Sequence, residues 1–258
     1  MKTDKPVLVV GPVRNCAKTL RDDVLRIRLA LQDYEVHWFL VESDSADKSI
    51  KVLEELSKEI PNFGFVSLGY LEQHYPQRTV RLAIARNRYI QEARGRDVDY
   101  VVAADFDGIN NAISVEAIRS CNERDDWDVV CGNQDGPYYD VWALRAKGWL
   151  EHDVWVVADN LRANGMSLEE AMKQEVYPYM RRVPLDSEWI EVESAYSGFT
   201  IYKKQALISA EHIPLYPDGR EQCELVPLNN KIRESGYKIF INPRLVSGGL
   251  NDYTRGLV

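Results

Sequence analysis

The stretch Val101-Val102-Ala103-Ala104-Asp105-Phe106-Asp107 decides the fold of this chain, because it joins a run of apolar residues to an acidic pair. Four consecutive apolar residues predict a parallel strand that is buried on both faces. The two carboxylates are one residue apart where the strand leaves the sheet, and Mg²⁺ or Mn²⁺ prefers such oxygen ligands. A solvated acidic turn shows the same three residues, so this triplet alone leaves both interpretations open.

Strands and helices alternate on the N-terminal side of this stretch. Apolar runs predict strands at 7–10, 35–41, 63–66 and 99–104, and helical periodicity predicts helices at 17–31, 47–60 and 79–94. This order predicts an α/β fold with a mostly parallel central sheet flanked by helices. Ligands of such sheets bind at the carboxyl ends of the strands.

The second half is irregular and rich in aromatic residues. It predicts strands at 127–131, 199–202 and 237–241 and helices at 167–174 and 225–234. No linker or internal repeat divides the chain, so we expect a single domain with a regular half, 1–135, and an irregular half, 136–258.

Composition excludes some classes of protein. A net charge of −8 argues against a sequence-independent nucleic-acid binder, which needs a basic face. The sequence has no apolar run of about 20 residues and no signal-peptide core at its start, so we expect a cytoplasmic protein. The four cysteines are widely spaced, which favours reduced thiols over a zinc site. Arg181-Arg182 and Lys203-Lys204 leave peripheral contact with the inner face of a membrane open.

Polar residues follow the first two predicted strands, and parallel strands end at one edge of the sheet. Pro12, Arg14 and Asn15 follow the first strand, and Glu42 and Asp44 follow the second. Carboxylates can accept hydrogen bonds from a base or a ribose, and an arginine can pair with phosphate. Helix capping is the alternative role for the acidic residues of this second loop.

Arg86 and Asn87 lie in the third predicted helix. Asn87 falls on the apolar stripe of that helix, where a buried amide needs partners, so we expect it to bond a loop or a ligand. Arg86 can reach a phosphate or orient the Asp105 loop. Pairing with a surface carboxylate is the alternative for Arg86.

Together these motifs resemble the GT-A fold of nucleotide-sugar-dependent glycosyltransferases. The resemblance rests on 7–15, on Val41-Glu42-Ser43-Asp44-Ser45-Ala46-Asp47, on Ala85-Arg86-Asn87-Arg88 and on the 101–107 stretch, in that order. Ser197-Gly198-Phe199, Cys223-Glu224-Leu225-Val226-Pro227-Leu228 and Asn242-Pro243-Arg244 are most similar to the fungal capsule-associated α-mannosyltransferases and their bacterial relatives.

The resemblance implies a metal-dependent transfer of a hexose, with mannose favoured, from a GDP- or UDP-linked sugar to a hydroxyl of a glycan or lipid-linked acceptor. Asp105 and Asp107 would hold Mn²⁺ or Mg²⁺, and the catalytic residues would be Glu224, Asp107 and Arg86. The donor-binding residues implied are Pro12, Arg14, Asn15, Glu42, Asp44, Arg86, Asn87, Asp105, Phe106 and Gly198. This chain departs from the family in having Glu224 without a second acid beside it, and no histidine after His212 to complete the metal site.

Some alternatives stay open at the sequence level. Glu221 and Asp135 are further candidates for a general base, and retention and inversion of configuration are both compatible with the sequence. The aromatic segment 138–155 is a candidate acceptor platform, in which we expect Tyr138 or Asp140 to contact the acceptor and Trp142 to be buried. A sugar-phosphate nucleotidyltransferase is disfavoured by the single glycine after the first strand, and a non-catalytic carbohydrate-binding protein is the other alternative.

Overall fold

The computed structural model describes residues 1–249, and its centre is one eight-stranded sheet. The strands are β1 (Val7–Val13), β2 (Val36–Glu42), β3 (Phe63–Ser67), β4 (Tyr100–Ala104), β5 (Val129–Gln134), β6 (Ile190–Glu191), β7 (Phe199–Lys203) and β8 (Ile239–Gly248). All the strands predicted from the sequence are confirmed, whereas the two-residue β6 was not predicted.

Eight α-helices accompany these strands within the described residues. They are α1 (Leu20–Ala30), α2 (Ser49–Glu59), α3 (Arg78–Gly95), α4 (Val115–Ser120), α5 (Val154–Ala163), α6 (Leu168–Glu175), α7 (Lys204–Ile208) and α8 (Leu225–Glu234). Short 3₁₀ helices form at Leu71–Gln73 and Tyr177–Tyr179. The sequence did not predict α4, α5 or α7. No helix within 1–249 combines the length and the apolar character needed to cross a membrane.

The strand order is β3-β2-β1-β4-β7-β5-β8-β6. The first four strands are mutually parallel, and β7 runs antiparallel between β4 and β5. The mostly parallel α/β sheet expected from the sequence is therefore confirmed. The chain leaves β1 toward β2 on one side and returns to β4 on the other, and the carboxyl ends of β1 and β4 open a crevice at that switch point.

Hydrophobic side chains cover both faces of the sheet. Leu8 and Val10 pack in one buried cluster with residues of α3, α7 and α8, whereas Val7 and Val9 pack in the other with residues of α1, α2 and α4. Burial on both faces is the physical reason why these strands show unbroken apolar runs in the sequence.

The aromatic segment 138–155 departs from expectation. The side chain of Tyr138 is fully buried and packs edge-on against Trp149, with ring centroids 5.5 Å apart. Of the two residues expected to contact an acceptor, Tyr138 is therefore ruled out by its burial, and Asp140 stays a prediction. Trp142 is only partly buried, although we expected it in the core. The segment forms turns and isolated bridges that lead into α5. Residues 250–258 of the predicted second half lie outside the described residues.

Candidate functional site

A cleft of about 240 Å³ lies at the carboxyl ends of β1 and β4. Its lining consists of Pro12, Val13, Arg14, Cys16, Ser43, Asp44, Arg78, Arg81, Leu82, Ala85, Arg86, Asp105, Phe106 and Asp107. The loops after β1, β2 and β4 thus meet the N-terminal half of α3 at one site. Both predicted metal ligands lie in this cleft, beside the predicted nucleotide-binding residues Pro12, Arg14 and Asp44.

The acidic loop after β4 is fixed by hydrogen bonds along its backbone. The amide of Asp105 donates to the carbonyl of Gly198 at 2.9 Å, and the hydroxyl of Thr19 donates to the carbonyl of Phe106 at 2.8 Å. The buried carboxylate of Asp23 accepts from the amide of Gly108 at 2.8 Å. These contacts hold the backbone around both carboxylates before any ligand binds.

Phe106 anchors the same loop from below. Its side chain is only 1% exposed, and it lies against Gly11 of β1. A Cβ atom at Gly11 would lie 2.0 Å from the Ala104 carbonyl oxygen and 2.6 Å from the Phe106 ring. Glycine is therefore needed here because of a close approach between two strands.

Asp105 and Asp107 differ in their surroundings. The Oδ1 atom of Asp105 accepts a hydrogen bond from the Tyr196 hydroxyl at 3.0 Å and lies 3.4 Å from the Arg86 guanidinium. Burial raises the pKa of Asp105 to about 7, with Arg86 opposing that shift and the Asp107 carboxylate adding to it. Asp107 is exposed at the mouth of the cleft.

The oxygen chemistry of these two carboxylates suits a divalent cation. A cation between them would favour the ionised form of Asp105, which burial and the neighbouring negative charge now disfavour. Within 1–249 no cluster of three or more histidine, cysteine or acidic side chains is arranged to hold a metal. Mg²⁺ and related ions are commonly held by one or two carboxylates together with water and substrate phosphates.

Arg86 links the acidic loop to the second half of the chain. Its buried guanidinium lies 3.4 Å from Asp105 and 3.4 Å from Glu224, and stacks over the Tyr196 ring at 4.5 Å. Glu224 is 3% exposed, burial raises its pKa, and it does not line the cleft. Of the alternatives left open for Arg86, the structure shows the contact with the Asp105 loop. The geometry gives Glu224 the role of holding Arg86 in place.

Asp44 lines the cleft with a carboxylate that is almost fully buried. Its backbone has φ of +59°, and its Oδ1 atom accepts from the amide of Glu72 at 2.8 Å. Its Oδ2 atom is buried, lies 3.5 Å from Nε of Arg81, and has no hydrogen-bond partner among residues 1–249. A buried carboxylate oxygen that lacks a hydrogen bond is costly, and an N–H or O–H donor of a ligand would satisfy it.

Other residues predicted to bind the donor lie behind the lining of the cleft. Glu42 accepts from the amide of Ser45 at 3.0 Å and from the Ser67 hydroxyl, so it shapes the loop that carries Asp44. Asn15 accepts from the amide of Ala46 at 2.8 Å and joins the loops after β1 and β2.

Asn87 and Gly198 lie behind the cleft as well. Asn87 accepts from the amide of His212 at 2.8 Å and donates to its carbonyl at 3.0 Å, so its amide bonds a loop, as expected. Gly198 has φ of +72°, and a Cβ there would lie 2.9 Å from the Tyr139 hydroxyl. It therefore supports the Asp105 loop through a close backbone approach.

Glu221 and Asp135, the two further candidates for a general base, lie outside the carboxylate pair of the cleft. Glu221 accepts from the amide of Thr79 at 3.0 Å and from its hydroxyl at 2.6 Å, which satisfies the start of α3. Asp135 is exposed and lies 3.9 Å from Arg182, outside the lining of the cleft.

Sequence reasoning missed Arg78 and Arg81, which line the cleft on the same face of α3 as Arg86. Arg81 donates to the carbonyls of Tyr75 and Pro76, both at 2.7 Å. Arg78 makes no hydrogen bond or ion pair with the residues that the structure describes. The spacing of 78, 81, 82, 85 and 86 places all five positions on one face of a helix, and that pattern is the signal that could have found the two arginines.

No protein-family model matches the sequence, and no curated protein matches it. Solved structures do match. The mannosyltransferase PcManGT from Pyrobaculum calidifontis, in complex with GDP-Man and Mn²⁺, aligns with 97% of this chain at a TM-score of 0.55 and 14% identity. S. aureus TarS 1-349, in complex with UDP-GlcNAc, aligns with 96% of the chain at a TM-score of 0.53 and 13% identity.

The chain has a GT-A fold. It spans 58% of the PcManGT chain and 59% of the TarS fragment. At such low identity the likeness is one of fold, and the substrates bound in those two structures belong to those two proteins.

Proposed function

We propose that this protein is a metal-dependent glycosyltransferase that moves a hexose from a nucleoside-diphosphate sugar to a hydroxyl. The observation that carries this proposal is the cleft at the β1–β4 switch point. It brings the carboxylate pair Asp105 and Asp107 together with Asp44, and with arginines of α3. The acidic pair suits a metal ion, the carboxylate of Asp44 suits the base or the ribose, and the arginines suit the phosphates of a nucleotide sugar.

Different residues of the cleft would bind different parts of the donor. The Oδ2 atom of Asp44, which lies beside Arg81 and lacks a hydrogen bond, would accept one from the base or the ribose. Arg14, which is exposed at the rim, and Arg78 would pair with phosphate oxygens, which the forked guanidinium suits. Arg86 would fix the orientation of Asp105 through their ion pair.

Asp105 and Asp107 would hold Mn²⁺ or Mg²⁺, which would supply positive charge to the departing diphosphate. The partly buried environment of Asp105 would strengthen the electrostatic contacts of its carboxylate. Of the hexoses we favour mannose, since the narrower sequence resemblance and the GDP-Man-bound PcManGT structure agree in that sugar.

The acceptor we propose is a glycan or a lipid-linked glycan, reached in the cytoplasm. The free state of Cys16, Cys121, Cys131 and Cys223 supports a reducing compartment. Arg181 and Arg182, both exposed, would supply any peripheral contact with an anionic membrane surface.

Calorimetry with UDP and with GDP, each with and without Mn²⁺, tests the proposal. We expect one nucleotide to bind in a metal-dependent manner, and Asp107→Ala to remove that dependence while the melting temperature is kept, because the Asp107 side chain is exposed. Asp97→Ala is the matched control, since Asp97 is an exposed aspartate before β4 whose side chain pairs with Lys5. If neither UDP nor GDP binds in a metal-dependent manner, the proposed transferase function is refuted.

The products separate this proposal from its alternatives. A transferase hydrolyses or transfers the sugar and releases nucleoside diphosphate. A sugar-phosphate nucleotidyltransferase releases pyrophosphate from a nucleoside triphosphate. A non-catalytic carbohydrate-binding protein binds sugar equally well with and without the metal.

A further inference from the structure

A second cleft, of about 610 Å³, adjoins the nucleotide cleft. Arg78, the first residue of α3, lines both of them. The other walls come from the turn before α5, from α5 itself and from the hairpin that pairs Leu215 with Glu221. Its volume lies within the range of small-molecule sites, about 300–1,000 Å³.

Two tryptophans form the apolar part of this second cleft, and the structure holds them in place. The indole N–H of Trp142 donates to Asp153 at 3.3 Å. Asp153 also accepts from the amide of Trp155 at 2.9 Å, and so caps the helix that carries it. Asp153 is itself paired with Arg145 at 3.4 Å and bonded by the Tyr216 hydroxyl at 3.0 Å. Rigid aromatic faces suit the C–H surfaces of a sugar ring at low entropic cost.

The charged groups around the tryptophans are already satisfied by the protein. Glu221 is bonded by Thr79, and Asp159 pairs with Arg162 at 3.0 Å. The guanidinium of Arg220 pairs with Asp218 at 2.8 Å. Arg78 is then the one cation of the lining without an ion pair among the described residues, although its charge acts on the carboxylates of Asp140 and Glu224. It lies at the junction with the nucleotide cleft.

This charge pattern discriminates between two classes of acceptor. A small anionic acceptor, such as a phosphorylated acid, needs several free cations or backbone N–H groups directed at its charge. The second cleft offers one unpaired arginine, which the diphosphate of a donor would also attract. A neutral sugar needs aromatic faces and hydrogen-bonding groups, and both are present in the lining.

We propose that the second cleft is the acceptor site and that its ligand is a neutral sugar unit of a glycan, stacked on Trp155 and Trp142. The inference rests on the proposed transferase function and specifies the chemical class of its acceptor. Arg78 marks the boundary where donor phosphate and acceptor hydroxyl meet. Asp159 and Asn160, both exposed residues of the lining, mark the side from which the rest of the glycan extends.

Saturation-transfer NMR on the full chain, with Mg²⁺ and the nucleotide found by calorimetry, tests this inference. The probes are the methyl glycosides of α-mannose, β-glucose and β-N-acetylglucosamine, with methyl β-glucuronide and 3-phosphoglycerate as anionic comparisons. We expect at least one neutral glycoside to bind more tightly than either anion. We expect Trp155→Ala to weaken it about tenfold, which corresponds to roughly 1.4 kcal/mol.

Trp189→Ala is the matched control, because Trp189 is also partly buried but packs against Phe240 away from both clefts. If Trp155→Ala does not fold, the comparison of neutral and anionic probes on the unaltered chain still tests the inference. Replacing Mg²⁺ by paramagnetic Mn²⁺ should broaden the signals of the bound glycoside, because the two clefts adjoin.

Three results would overturn the inference: tighter binding of an anionic probe, no binding of any neutral glycoside, or unchanged affinity in Trp155→Ala. If metal-dependent nucleotide affinity persists in such a case, only the acceptor assignment fails. If that affinity is also absent, the proposed transferase function fails with it.

Discussion

Replacing Gly11 by alanine should destabilise the fold and disturb the metal site together. A methyl group there would lie 2.0 Å from the carbonyl oxygen of Ala104, which belongs to a neighbouring parallel strand and cannot rotate away. It would also press on the buried Phe106 ring at 2.6 Å. Because Phe106 stands between Asp105 and Asp107, any movement that relieves the clash displaces both carboxylates.

The magnitude follows from two opposing effects. Overpacking a core costs about 1–3 kcal/mol, and a clash with backbone belongs at the upper end of that range. Replacing glycine by alanine inside a strand stabilises the folded state by about 0.5–1 kcal/mol, which opposes this loss. We therefore expect a net loss of about 2 kcal/mol, or a fall of about 4–8 °C in melting temperature for a chain of this size.

Urea unfolding and Mn²⁺-dependent nucleotide calorimetry measure the two effects. Gly64→Ala is the control, because Gly64 also lies in a strand of the same sheet but its added Cβ would meet only ordinary contacts, at 3.5 Å and beyond. That variant should keep or slightly raise stability and leave nucleotide affinity unchanged. A Gly11→Ala protein with the unfolding midpoint and metal-dependent affinity of the parent chain would refute the reasoning.

Three further predictions concern the buried ion pairs of Arg86, the buried imidazole of His212 and the carboxylate of Asp44. Arg86→Met leaves the carboxylates of Asp105 and Glu224 without their cation, so unfolding free energy should fall by about 3–5 kcal/mol, and by less when Glu224→Gln is added. A double variant whose unfolding free energy is no higher than that of Arg86→Met would contradict the pairing of Arg86 with Glu224. Burial lowers the pKa of His212 well below its usual value, so its contribution to stability is complete at neutral pH and is lost below about pH 6.5. In urea titrations, His212→Gln should reduce the stability difference between pH 7.5 and 5.5 by about 1 kcal/mol, and an unreduced difference would count against a neutral buried imidazole. Asp44→Asn places a neutral N–H donor where the Oδ2 acceptor lies beside Arg81, so nucleotide affinity measured by calorimetry should fall about ten- to hundredfold. Unchanged affinity would contradict the assignment of Asp44 to the base or the ribose.

The first half of the fold could be predicted from the sequence because its signals are local. Apolar runs marked each parallel strand, and Asp105 and Asp107 followed one of them directly, so the rule that parallel strands end at one edge placed them beside Asp44. Helix starts were less certain. Asp47 accepts from the amide of Ser49, so it precedes α2 instead of lying within it.

The second half could not be predicted because its contacts are distant in sequence. The backbone amide of Tyr138 bonds the carbonyl of Arg181, and Arg145 pairs with Ser194 in an isolated bridge. No periodicity records such contacts, so neither the partial exposure of Trp142 nor the burial of Tyr138 could be predicted. The same reason hid the pairing of Glu224 with Arg86, which joins two helices more than a hundred residues apart.

The position of β7 constrains how this protein could be re-engineered. Although β7 comes late in the chain, it lies between β4 and β5, and the residue before it supplies the carbonyl that holds the Asp105 amide. A chimaera that exchanged everything after residue 135 would bring a foreign strand into the middle of the sheet and a foreign support under the acidic pair. Grafting a new acceptor preference should therefore spare 196–203 and exchange only the segments around it.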